Sequence, residues 1–326
     1  LQAFTYTFGL AAIVLLLLPL VPGLGTRING ARIWIRLLGF SFQPGEIAKV
    51  LLCVAFAGYL VQHRDALALA GRRVLFVDLP RGRDLGPVLA MWGVSLGILV
   101  FQNDLGSSLL FFGLFLVMLY VATERPGWLV VGTLLFVVGA YVGFLFVGQV
   151  AVRVDGWLDP FGNANSGAFQ LIQGMYGMAW GGLVGRGLGE GSPFLTPLSW
   201  SDFILPSFGE ELGLTGVMAI ILMYGLIVER SLRTALVCRD GFGKLLATGL
   251  GVVFALQVFV VIGGVTRLIP LTGLTTPFLS AGGSSLVANW VIIALLLRVS
   301  DQARRPPPEL LMTDDDDAEK TQVVRL

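Results

Sequence analysis

In a strongly apolar chain, carboxylates and guanidinium groups are where chemistry would be found. Asp202 stands between Ser201 and Phe203, just ahead of a long apolar run, in the stretch DFILPSFGEELG. A carboxylate so placed either caps a free backbone N–H at the helix start or acts as a general base toward a hydroxyl within hydrogen-bond reach. Glu210 and Glu211 follow beyond the first turn, where the helix dipole no longer favours negative charge, so at least one of them needs a partner. Arg27 precedes, and Arg32 and Arg36 lie within, the stretch NGARIWIRLLGFSFQPGE. Guanidinium groups bind phosphate oxygens through paired planar hydrogen bonds, so a lipid phosphate or a pyrophosphate suits these arginines. Snorkelling to ordinary headgroups suits them equally. Pro44, Glu46 and Lys49 mark a helix start with two charges on one face. They form a structural salt bridge, or Lys49 faces a polar cavity and Glu46 orients it. Asp104 and Arg267 are further charges at the edges of apolar runs.

Between Gln149 and Asp202 the chain is rich in Gly, Asn, Gln and Trp rather than in charge. Tyr176 and Trp180 suit a short helix at headgroup level. A sugar or headgroup can stack there, or the segment is an interfacial cap without a ligand.

The elements that must position these groups are membrane helices. Of 326 residues, 55% are hydrophobic and 13% charged, against about 25% charged in an ordinary soluble domain. Mean hydropathy is +0.82, which excludes a water-soluble globule. A net charge of +1 with scattered basic residues gives no footprint for nucleic acid. Cys53 and Cys238 match neither a metal spacing nor a disulfide framework, and a single histidine rules out a His-based triad. Apolar runs at about 7–24, 47–62, 87–102, 105–122, 128–148, 203–228, 245–265 and 284–299 predict eight spans. Asp104 and Gly106 split the stretch 87–122 into two helices. The prediction is an all-α polytopic transmembrane bundle, with one membrane domain over 1–300 and a disordered cytoplasmic tail over 301–326. Basic residues concentrate in the links at 63–86 and 229–244 and in the tail, which places those loops and both chain ends in the cytoplasm. Segments 25–46, 149–202 and 266–283 then face outward. The chain begins at Leu1, and its first run lacks a basic n-region and a cleavage site, which reads as a fragment.

NGARIWIRLLGFSFQPGEIAK, FQNDLGSS, DFILPSFGEELGLTG and TTPFLSAGGSSL, in that order, resemble the signature segments of the SEDS family (shape, elongation, division and sporulation proteins). The longer stretch GGVTRLIPLTGLTTPFLSAGGSSLVANW resembles most the actinobacterial, elongation-type members. The resemblance implies a ten-helix membrane protein, here without its first two helices, that polymerises peptidoglycan from lipid II on the outer face of the bacterial cytoplasmic membrane. It implies that Asp202 is the catalytic base, and that Arg32 and Lys49, with a divalent cation (magnesium or manganese) where one is bound, offset the charge of the departing diphosphate. Glu46, Asp104, Trp180, Arg267 and Ser284 complete the expected substrate contacts, and a class B penicillin-binding protein is the expected partner. Gly45, Asn103 and Ala281 depart from the usual Ser, Pro and Tyr. A lipid II flippase and an inactive scaffold are the competing readings, and the edge position of Asp202 favours the enzyme.

Overall fold

The computed structural model describes residues 1–305, apart from 29, 38–39, 65–66, 68–71, 75–76, 80–81 and 165–167. Each predicted apolar run is a helix: α1 (Thr5–Leu17), α2 (Pro44–Gln62), α3 (Gly82–Phe101), α4 (Leu105–Thr123), α5 (Gly127–Phe146), α8 (Ile204–Val237), α9 (Gly241–Val265) and α10 (Gly283–Arg304). Two more, α6 (Gly148–Leu158) and α7 (Phe169–Gly181), lie between α5 and α8. Among the described residues seven helices are long and apolar enough to cross a membrane, and α3 adds a shorter apolar stretch, Leu85–Phe101. Helix α10 runs past residue 300 to Arg304, and the expected tail from 306 onward lies outside the described residues, as does Arg81.

Burial is uneven. In α2, 78% of the span window is buried and in α9 72%, against 6% in α5. Small side chains let the central helices approach closely: Gly249 of α9 sits directly on Cys53 of α2 and Met118 of α4. Cys53 is therefore core.

The segment after α1, predicted only as an outward loop, folds as an antiparallel sheet of β1 (Gly25–Ile28), β2 (Ala31–Leu37) and β3 (Phe40–Phe42), with Thr26 opposite Trp34 and Ile35 opposite Phe42. Ile33, Trp34 and Ile35, β-branched and aromatic, suit a strand. A hairpin of β4 (Arg72–Val74) and β5 (Val77–Leu79) lies between α2 and α3. The sheet is tied to the α3–α4 turn through Arg32 N, which donates to Gln102 O at 3.1 Å. In that turn Asp104 caps α4 by accepting from Ser107 N at 3.0 Å. Asn103 has φ 60°. Proline, fixed near −65°, could not adopt that φ.

The largest difference from expectation is a break in α8. Gly213 takes φ 69° and ψ −172° within its 34 residues. Residues 182–187 insert into the break. Arg186 N and Gly187 N donate to the freed carbonyls of Glu210 and Glu211, both at 3.0 Å, while Leu214 N and Thr215 N donate to Gly182 O and Leu183 O at 2.9 and 3.1 Å. A side chain at Gly213 would strike the backbone of Leu183 and Gly185. Interrupted helices survive at membrane depth only when their freed groups find such partners. The partner expected for one of the two glutamates is the backbone of Ser192, whose N–H donates to Glu210 Oε1 at 2.7 Å.

Candidate active site

The connection between α9 and α10 crosses this end of the bundle as an extended strap and organises the site. Gln257 of α9 donates through Nε2 to Thr275 O at 2.8 Å, and the Thr275 hydroxyl lies 2.9 Å from Ser285 Oγ. Leu274 packs against Gly106 at the start of α4. Further along, Ser280 Oγ donates to Ser201 O at 2.7 Å and Ala281 N donates to Trp200 O at 2.8 Å. The turn carrying Asp202 is thus hung from the strap through its own carbonyls, by one side-chain hydroxyl and one backbone N–H. Ala281 contributes its N–H, so the missing tyrosine side chain does not affect this bond.

Asp202 does not cap α8. The N-cap is Phe203, and no side chain makes a capping bond. Among the described residues the Asp202 carboxylate accepts only from Ser201 Oγ, at 3.0 Å, and it is half-buried. Burial pushes its carboxyl above the ordinary carboxylate range, against the opposing pull of the Ser201 hydroxyl and then of Arg153. The capping alternative is thereby removed, and the carboxylate remains available to a ligand.

Its charged neighbour is Arg153 of α6, a residue not singled out from the sequence. Arg153 Nη1 donates to Thr272 O at 3.0 Å. A Cβ built on Gly273, whose φ is 75°, would lie 3.4 Å from Asp202 Oδ2 and 3.7 Å from Arg153 Nη2. The missing side chain therefore leaves carboxylate and guanidinium facing one point without closing into a direct ion pair. Burial lowers the affinity of Arg153 for its proton, while Asp104 and then Asp202 oppose that shift. Asp104 is raised by its own burial, against the bond from Ser107.

The other expected site residues fall in different places. Lys49 Nζ lies 2.6 Å from Glu46 Oε2 and donates to Gln257 Oε1 at 2.7 Å, with Lys49 only 2% exposed. This pair reaches the site indirectly, through Gln257 and the strap. Arg267 is exposed. Its Nε and Nη2 donate to Trp157 O and Leu158 O, both at 2.8 Å, and it receives Trp157 Nε1 at 3.0 Å. It thus holds the C-terminal end of α6 and sets the height of Arg153. Arg32 Nη2 donates to Val21 O at 3.3 Å. Trp180 is exposed, with Arg186 stacked 3.8 Å over its ring. Ser284 Oγ is buried and accepts from Gln43 N at 3.3 Å, joining α10 to the start of α2. Among the described residues no three Asp, Glu, His or Cys side chains converge as metal ligands. The only available sequence signal for Arg153 is a charged residue four positions from an aromatic at an amphipathic helix end.

Seven apolar spans and a carboxylate–guanidinium site at the helix ends define a multi-pass membrane protein of polytopic helical type. The chain belongs to the FtsW/RodA/SpoVE family, "Cell cycle protein", whose model matches residues 2–305. It is 50% identical over 305 residues to the peptidoglycan glycosyltransferase RodA of Mycobacterium tuberculosis, covering 93% of this chain and 65% of that protein. It is 37% identical over 300 residues to the probable peptidoglycan glycosyltransferase FtsW of Geobacter sp. (strain M18), covering 90% of this chain and 78% of that one. The chain thus spans about 65% of the length of its mycobacterial relatives. A solved structure described as "Structural coordination of polymerization and crosslinking by a peptidoglycan synthase complex" matches with TM-score 0.73 and 29% identity, over 94% of this chain and 83% of that one. The Rod shape determining protein RodA of Thermus thermophilus matches with TM-score 0.63 and 26% identity, over 94% and 80%.

Proposed function

We propose that this protein is a peptidoglycan glycosyltransferase that polymerises lipid II into glycan strands at the outer face of the bacterial cytoplasmic membrane, serving cell wall elongation and shape. The observation that carries this reading is the Asp202 carboxylate, free of capping duty and set opposite Arg153 beside Gly273. Asp202 accepts the proton of the acceptor sugar's 4-hydroxyl. The oxygen bonds to the anomeric carbon of the donor as the bond from that carbon to the diphosphate breaks, and the electron pair leaves on the diphosphate. Attack on an α-linked donor gives a β-linked product. The free Nη2 of Arg153 offsets the charge gathering on the leaving group.

In this reading Lys49, Glu46 and Ser284 hold the strap and helix starts that frame the site, Asp104 sets the field around Arg153, and Arg267 fixes α6. Trp180 offers a face to a sugar, and Arg32 anchors the sheet. A divalent cation, magnesium or manganese, would further offset the diphosphate charge where one is bound. The basic links on the opposite side of the spans support a topology with Asp202 outside and both ends of the chain in the cytoplasm. A class B penicillin-binding protein is the proposed partner, a reading supported by the likeness to a complex described as coordinating polymerization and crosslinking.

The test is lipid II polymerisation by the full-length protein reconstituted with a class B penicillin-binding protein. Asp202→Ala abolishes polymer while the protein stays monodisperse with unchanged thermal unfolding. Normal polymer from that variant rejects Asp202 as base. Lipid II crossing liposome bilayers at a rate indifferent to Asp202→Asn, with no polymer formed, selects the flippase instead.

A further inference from the structure

Asp202 and Arg153 account for the proton and the charge at the point of reaction, but not for how a lipid-linked substrate is held as it arrives from the bilayer. At the same end of the molecule an open groove of about 600 Å³ runs between the β1–β2 turn, the α3–α4 turn and the α5–α6 junction, with Arg27, Asn103, Phe146, Val147 and Gln149 among its walls. That volume is within the range of small-molecule sites.

Three observations bear on its occupant. Its charge has one sign: Arg27 is exposed, its Nε donates to Gly30 O at 3.2 Å, no carboxylate pairs with it among the described residues, and no acidic residue lines the groove. Its depth is that of the bilayer edge, because Phe146 ends an apolar span and is 81% exposed. Helix α5, with 6% of its span window buried, leaves an apolar flank running into the membrane beside it. Its inner wall also adjoins the candidate site. Asn103 precedes Asp104, and Gln149 lies four residues before Arg153, hence on the same face of α6.

We propose that this groove seats the diphosphate of a polyprenyl-linked substrate, with Arg27 as its charge contact, the Gln149 and Asn103 amides as hydrogen-bond donors, and the lipid tail along α5. This deepens the glycosyltransferase reading and rests on it. A phosphate-bearing headgroup is the shared chemistry, and a bulk phospholipid is the other source of it.

The test separates binding from turnover. The full-length Asp202→Ala protein in phosphatidylcholine nanodiscs is titrated with polyprenyl diphosphate, polyprenyl alcohol and phosphatidylglycerol, and bound lipid is read by native mass spectrometry. The diphosphate binds saturably, the alcohol does not, and phosphatidylglycerol fails to displace it at equal concentration. Adding Arg27→Glu weakens diphosphate binding by about tenfold or more, Arg27→Lys retains most of it, and Gln149→Ala gives a smaller loss. In the protein with Asp202 intact, Arg27→Glu raises KM for lipid II with little change in kcat. Unchanged diphosphate affinity in Arg27→Glu, or equal displacement by phosphatidylglycerol, overturns the groove assignment. Neither result touches the effect of Asp202→Ala on polymer, and polymer from Asp202→Ala leaves the binding result standing.

Discussion

Two carboxylate–cation partnerships in this molecule are built in opposite ways. Glu46 and Lys49 close on each other at 2.6 Å inside α2, almost wholly buried, with Gln257 as a third partner. Asp202 and Arg153 are half-buried and face one point beside Gly273, each bonded to a neighbour but not to the other. A closed buried pair satisfies its own charges, and removing either partner leaves the other stranded. An open pair keeps its hydrogen-bonding capacity for a ligand. The difference separates a support from a working site, and Gln257 with the strap is the physical link between them.

The largest effect that would sharpen this contrast is that of Asp202→Ala. It lowers polymerisation by at least about 10² to 10⁴, the range of a lost general base, and leaves the unfolding temperature unchanged because no cap is lost. A parallel fall in thermal stability would break the contrast. Arg153→Gln comes next, with a fall of about 10² to 10³ in kcat, the scale of a lost electrostatic donor, partly restored in Arg153→Lys. The same variant tests the sign of the electrostatics. Burial raises the Asp202 carboxyl, so the base form is lost on acidification at a pH above the ordinary carboxylate value of about 3.9. Arg153 favours the ionised form, so Arg153→Gln moves the acid limb of kcat/KM upward, and a downward move contradicts the geometry.

Lys49→Ala strands Glu46 and costs about 3 to 5 kcal/mol of stability. Activity falls with it as the strap loosens, measured by detergent thermal unfolding beside the polymer assay. Activity lost at full stability would place Lys49 in the working site instead. The smallest effect belongs to Arg267→Ala, which frees the last carbonyls of α6 and costs about 1 to 2 kcal/mol. Its signature is a modest drop in kcat through a displaced Arg153, with less loss in Arg267→Lys.

The eight apolar runs, the split at Asp104 and the edge position of Asp202 were legible because membrane burial demands long apolar stretches and tolerates charge only near their ends. The sheet of β1, β2 and β3 was not, since strands this short give too few period-2 repeats to stand apart from a loop. Nor was the break at Gly213. In sequence it is one glycine in an apolar helix, and only the insertion of residues 182–187 supplies partners for the freed backbone.

Among the charges, composition alone could say that each must sit at a helix end or find a partner, because an isolated charge in hydrocarbon is too costly. It could not say which partner. Lys49 finds Glu46 three residues away, a local relation visible in the helix period, whereas Arg153 meets Asp202 across 49 positions of chain through a strap from a third region. Distances along a helix are written in the sequence. Distances across a bundle exist only once packing has chosen which ends meet.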